Sequence, residues 1–144
     1  MKSVQEGLTE KETDLIRKEV TEQFIHLVSA INQLDAAAWS EHYSKDEFLS
    51  AIVSTDHYAA RSEWVDVITS YFSTRKRQQV EPVEVRVTAL TSNLALMTSE
   101  ERSEMELKSG EATVFRHVFT MLWKKEPDGW KILHSHESWG NDKF

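Results

Sequence analysis

The 144-residue chain contains no cysteine. That excludes disulfides, a thiolate nucleophile and cysteine-ligated zinc. Glycine is scarce, with four residues. None belongs to a Gly-rich phosphate loop or a nucleophile elbow, and no Ser-His-Asp order or HExxH spacing is present. No run approaches the roughly 18 apolar residues of a membrane span. The N-terminus, MKSVQEGLTEKETD, lacks the apolar stretch of a signal peptide. These absences lead us to expect a cytoplasmic protein without membrane contact. Positive charge is also in short supply: 17 Lys and Arg stand against 24 Asp and Glu, for a formal net charge of −7. Such a surface repels a phosphate backbone, so no nucleic-acid partner is expected. The only basic run, Arg75-Lys76-Arg77, reads as a solvated helix end, where cations complement the helix dipole.

What remains is 40% hydrophobic and 28% charged, the composition of a soluble globular protein. A single domain over residues 1–144 is expected, with residues 1–8 as a flexible tail. A chain of this size buries about 70% of its unfolded surface, enough for one sizeable core.

Periodicity divides the chain in two. Thr9 and Glu12 have the spacing of a capping box. Ile16, Val20, Phe24, Leu27, Val28 and Ile31 then form one apolar stripe on a helix from about residue 10 to 34. Asp35 can cap a second helix from Ala36 to about Tyr43. Phe48 to Val53 reads as a strand, His57 and Tyr58 as loop, and Ala60 to Arg75 as a third helix with Trp64, Val65, Ile68 and Phe72 on one side. Beyond that the period falls to 2. Val83, Val85, Val87 and Ala89 alternate with polar residues, and further strands run over Leu94 to about Lys108, Thr113 to Lys125 and Trp130 onward. Glu100, Glu101, Arg102 and Glu104 read as a solvated, locally paired face. Helices segregated from an antiparallel meander define an α+β domain. A strongly curved, mainly antiparallel sheet with three helices in its concave face would bury every stripe.

Residues Phe119 to Ser138, FTMLWKKEPDGWKILHSHES, resemble the final hairpin of the SnoaL-like branch of the nuclear-transport-factor-2-like superfamily. The association domain of calcium/calmodulin-dependent protein kinase ends in a similar way. Asp35 to Asp46, with Tyr43 followed by Asp46, also fits the branch. The resemblance implies a cone-shaped, cystatin-like α+β roll with an internal pocket and a homodimer formed through the sheet. It also implies that the residue after His-x-His, here Glu137, points into the pocket. Ketosteroid isomerases of this superfamily carry a general-base Asp about eight residues beyond the Tyr. Here that position is Ala51, flanked by Ser50 and Ile52, and the nearest carboxylate is Asp56. Steroid isomerase activity is therefore not expected.

With Glu137 inward, strand alternation turns Leu133, Ser135 and Trp139 inward too. Phe115, His117, Phe119, Met121 and Trp123 form the facing inward set. Val118, Thr120, Leu122, Ile132, His134 and His136 are left outward, on the dimer face. Six residues separate Trp123 from Trp130. That suggests Met121 opposite Leu133, Phe119 opposite Ser135 and His117 opposite Glu137. Glu137 then has two readings. It is a general base or ligand anchor helped by His117, or a charge neutralised by His117. Trp39, Tyr43, Trp64, Phe119, Met121, Ser135 and Trp139 are the candidate ligand-binding residues. No metal site is expected: His134 and His136 share a face, but no third ligand is at hand. The expected function is binding of a small, partly apolar organic molecule. Any catalysis would be cofactor-independent acid–base chemistry: isomerisation, cyclisation, dehydration or hydrolysis. The alternative is a non-catalytic dimerisation or protein-interaction module with a vestigial pocket.

Overall fold

The computed structural model describes residues 7–140. Three helices lie against one curved, open six-stranded sheet. In chain order the elements are α1 (Glu10–Asn32), α2 (Ala36–Ser40), β1 (Ser50–Val53), β2 (Asp56–Tyr58), α3 (Arg61–Thr74), β3 (Arg75–Thr91), β4 (Leu94–Leu107), β5 (Ala112–Glu126) and β6 (Gly129–Gly140). The strand order is β2-β1-β6-β5-β4-β3. Every neighbouring pair is antiparallel except β1 with β6. The α+β roll expected from the period change is the one found.

Local chemistry sets the first element. The Glu12 amide donates to Thr9 Oγ1 at 3.1 Å, and the Thr9 amide donates back to Glu12 Oε1 at 3.3 Å. Two orphan amides of the helix start are satisfied together. The α1 stripe of Ile16, Val20, Phe24, Leu27, Val28 and Ile31 is buried throughout. Of the expected tail, residues 1–6 lie outside the described residues, and Leu8 packs against the core.

Several boundaries differ from the sequence reading. α2 stops at Ser40, because the chain from His42 to Ser44 bonds to the Ile132 backbone instead of continuing the helix. β1 begins at Ser50, and Phe48 before it is exposed. His57 and Tyr58 belong to a strand, β2, not a loop. The basic run is not a helix end. α3 passes into β3 with no intervening turn, and Arg75 already has extended backbone. A register shift between Arg75 and Arg77 turns both Arg75 and Gln78 inward.

The β5–β6 hairpin is offset by two residues from the expected pairing. Met121 lies opposite Ser135, Phe119 opposite Glu137 and His117 opposite Trp139. The tight turn, which pairs Glu126 with Gly129 and Lys125 with Trp130, contributes one residue of that offset, and a β-bulge contributes the other. Trp123 pairs with Ile132 and Leu122 with His134, so Leu133 has no partner on β5. An extra residue reverses the parity of the strand beyond it. Trp130 and Ile132 therefore face the core together with Ser135 and Glu137. Ile132, expected on the outer face, is fully buried.

Candidate functional site

A cavity opens near one end of the cone. α1 supplies Leu27 and Ile31, α3 supplies Ile68, Tyr71 and Phe72, and Trp39 and Tyr43 come from α2 and the segment after it. The sheet adds Arg75, Gln78, Phe115, His117, Phe119, Glu137 and Trp139. Its volume is about 40 Å³. One water needs roughly 10–15 Å³ on this measure, so the space suits a few waters or one small group of a ligand. Trp139, 40% exposed, stands at the end of the pocket wall.

His117 and Glu137 meet there. Each is 6% exposed, and His117 Nε2 lies 2.7 Å from Glu137 Oε2. They are diagonal rather than direct cross-strand neighbours, a spacing long side chains can bridge. Trp139 Nε1–H donates to the same oxygen at 3.2 Å. Both donors converge on Oε2, and among the described residues no group donates to Oε1. The Glu137 carboxyl thus has one oxygen fixed and one available to the cavity. An edge-on Phe24–Phe119 contact and the His117–Phe119 contact, with ring centroids 4.3 Å apart, hold the imidazole against an apolar wall.

The other expected site residues divide into two groups. Trp39, Tyr43, Phe119 and Trp139 line the cavity. Trp64, Met121 and Ser135 are fully buried and do not line it. Ser135 has a supporting contact: its Oγ lies 3.1 Å from the Tyr43 hydroxyl. Burial, and after it the Glu137 charge, holds the Tyr43 phenol well above its ordinary range, so it remains a protonated donor. His134 and His136 point away from the cavity. His134 Nδ1 contacts Ser50 Oγ at 2.9 Å, and burial pulls its pKa down. Among the described residues no three His, Asp or Glu side chains are placed to hold a metal ion.

Two charged residues were read as solvated and are buried. Arg75 is 9% exposed and lies with its guanidinium carbon 5.6 Å from the Tyr71 ring centroid and 5.9 Å from that of Trp139. Glu101 is fully buried, on the inward face of β4 with Ala95, Met97, Ser99 and Ser103. It sits directly opposite His117 in register, yet among the described residues neither of its oxygens has a hydrogen-bond partner. His117 Nδ1 is likewise unpartnered. Burial pushes the Glu101 carboxyl up to about 8; the charges of Glu137 and Glu100 add to the push and Ser99 opposes it. The alternation with Ala95 and Met97 was the sequence signal for Glu101. Arg75 had no such signal: alternation back from Val80 and Gln78 points to Lys76, and a register shift brings Arg75 inward instead.

The fold is thus a curved α+β roll with a buried His117–Glu137 pair beside an aromatic cavity. The SnoaL-like domain model matches residues 20–142, and the chain belongs to that family; in fold it is similar to proteins of the nuclear-transport-factor-2-like superfamily. Solved structures agree on the fold. A provisionally named dehydratase of that superfamily from Streptomyces avermitilis has a TM-score of 0.77 at 19% identity, over 88% of this chain and 97% of its own. A superfamily protein from Salmonella enterica serovar Typhimurium gives 0.79 at 18%, over 90% and 94%. A type 2 hexachlorocyclohexane dehydrochlorinase gives 0.77 at 7%, over 92% and 90%. No curated protein matches the chain.

Proposed function

We propose that this protein binds a small, partly apolar organic molecule and acts on it by acid–base chemistry that needs no cofactor. The observation that carries this is the buried His117–Glu137 pair, with one carboxylate oxygen free beside an aromatic cavity. Glu137 Oε1 would take a proton from the substrate. His117, bonded to the other oxygen, would orient the carboxylate and share the proton. A base of this kind serves isomerisation, cyclisation, dehydration or hydrolysis. Neighbours named for dehydration and dehydrochlorination support elimination within that set. The small cavity favours a second reading, a non-catalytic interaction module whose pocket is vestigial.

Proton exchange separates the two. Small β-hydroxy and α,β-unsaturated carbonyl compounds, incubated in D2O, should exchange an acidic C–H in the presence of the protein. Glu137→Gln should slow that exchange by about 10²–10⁴-fold, and His117→Ala by less. Exchange that survives Glu137→Gln, or no exchange with any compound, would favour the module.

We also propose a homodimer through the outer face of the sheet. Leu96, Val114 and Val118 are 37%, 46% and 41% exposed on that face. Leu96 lies opposite half-buried Leu122 on the same face, and apolar side chains left on an open sheet face are what an interface would cover. Light scattering should return twice the 16.7 kDa chain mass, and Val118→Arg should return the monomer. Wild-type protein that stays monomeric at micromolar concentration would remove this proposal.

A further inference from the structure

Arg75 is a buried cation without a carboxylate partner among the described residues. Among the described residues its one side-chain hydrogen bond is from Nη1 to Gln78 Oε1, a neutral acceptor. No Asp or Glu oxygen among them lies within ion-pair distance. The Tyr71 and Trp139 rings flank the guanidinium, and the group lines the same cavity as Glu137. Buried charges are ordinarily paired, because an uncompensated one costs several kcal/mol. Here the local construction is deliberate: the register shift at the start of β3 brings Arg75 inward, and Gln78 comes in beside it and holds one arm of the fork.

We propose that the cavity takes a small organic carboxylate on a planar apolar group, with Arg75 as its anchor. This rests on the reading of the cavity as a ligand site and names the ligand's class. A guanidinium offers parallel N–H donors that match a carboxylate in two-point geometry. With Nη1 committed to Gln78, the remaining N–H groups are directed to the ligand. Cavity size favours a carboxylate over a bulkier phosphate. The carboxylate of Glu137 on the same wall disfavours a dianion. The apolar part of the ligand would lie against Phe115, Phe119 and Trp139. Burial draws the Arg75 pKa down while Glu137 draws it up, and a bound anion would add to the second effect.

The test titrates wild-type protein with acetate, acrylate and benzoate and with their neutral amides, following tryptophan fluorescence and melting temperature. At least one acid should bind about tenfold or more tighter than its amide and raise the melting temperature. Arg75→Lys should weaken that acid about tenfold, because an ammonium lacks the planar fork, and Arg75→Met should remove the preference for acid over amide. Equal binding of acid and amide overturns the proposal while leaving a ligand pocket in place. So does a preference that survives in Arg75→Met. If no acid binds at millimolar concentration the proposal also fails. Continued exchange of neutral carbonyl compounds would then show that the acid–base reading stands without it.

Discussion

Glu101→Gln should stabilise this protein at alkaline pH and change little at pH 5. Glu101 is fully buried, with neither oxygen hydrogen-bonded, and its carboxyl is pushed up to about 8 from an ordinary 4.5. Between those two values the folded state holds a proton that the unfolded state has released. Stability therefore falls as pH rises through that window, and the full cost is reached above the folded value. Each pK unit is 1.36 kcal/mol, so the cost approaches about 5 kcal/mol. Gln has the shape of the protonated acid and never ionises. It should remove the pH-dependent cost, and it leaves its own amide no better partnered than the acid it replaces. At pH 5 the two proteins should agree within about 1 kcal/mol. At pH 9 the variant should melt on the order of 10 °C higher. Other titrating groups, such as His42 and His134, whose pKa values burial lowers, are common to both proteins and cancel in the difference. A difference in melting temperature that stays flat from pH 5 to pH 9 would show that Glu101 is not held neutral.

Glu101 also marks where the sequence was legible and where it was not. Spacing was a reliable guide to α1, with its apolar stripe and its capping box. The inward positions of Phe119 and Met121 came from the family resemblance, which set the parity of Glu137. The fold was legible from element order, and the family from the letters of Phe119 to Ser138. Charge identity misled. Glu101 and Arg75 stand among other charged residues, and charged residues are mostly exposed. Yet Glu101 shares parity with Ala95 and Met97, and strand parity outweighed residue type. β2 gave no signal because its three residues are exposed or half-buried and carry no alternation. The hairpin register was wrong by an even number of residues. That is why His117 and Glu137 still share a face although they are not directly opposed. An odd error would have put them on opposite sides of the sheet. Half of the offset comes from the turn, where Glu126 pairs with Gly129, and half from Leu133, a residue whose type gives no hint of a bulge.

Deleting Leu133 should therefore cost little, whereas deleting Thr120 from the facing strand should cost a large part of the stability. Trp123 pairs with Ile132 and Leu122 with His134, so Leu133 is the residue that the ladder leaves out. In the native strand, Trp130 and Ile132 face inward before the bulge, and Ser135 and Glu137 face inward after it. Without Leu133 the strand alternates regularly, and both inward sets keep their faces and their partners on β5. The Tyr43–Ser135 and His117–Glu137 contacts should survive, and only a half-buried side chain is lost. Thr120 lies in an unbroken ladder between Phe119 and Met121, both buried. Its deletion makes those two residues adjacent, and adjacent strand residues face opposite ways. Either Met121 and Trp123 or Phe115 and Phe119 must then go to solvent. Exposing two large apolar side chains costs about 3–6 kcal/mol at 1.5–3 each. That is a large share of the 5–15 kcal/mol that holds a typical domain. Urea unfolding should show a midpoint lowered to match for the Thr120 deletion, or no cooperative transition, and a midpoint close to that of Leu133→Ala for the Leu133 deletion. A Leu133 deletion as damaging as the Thr120 deletion would mean that Leu133 is not the residue left out of the ladder, and that the bulge does not set the parity of Glu137.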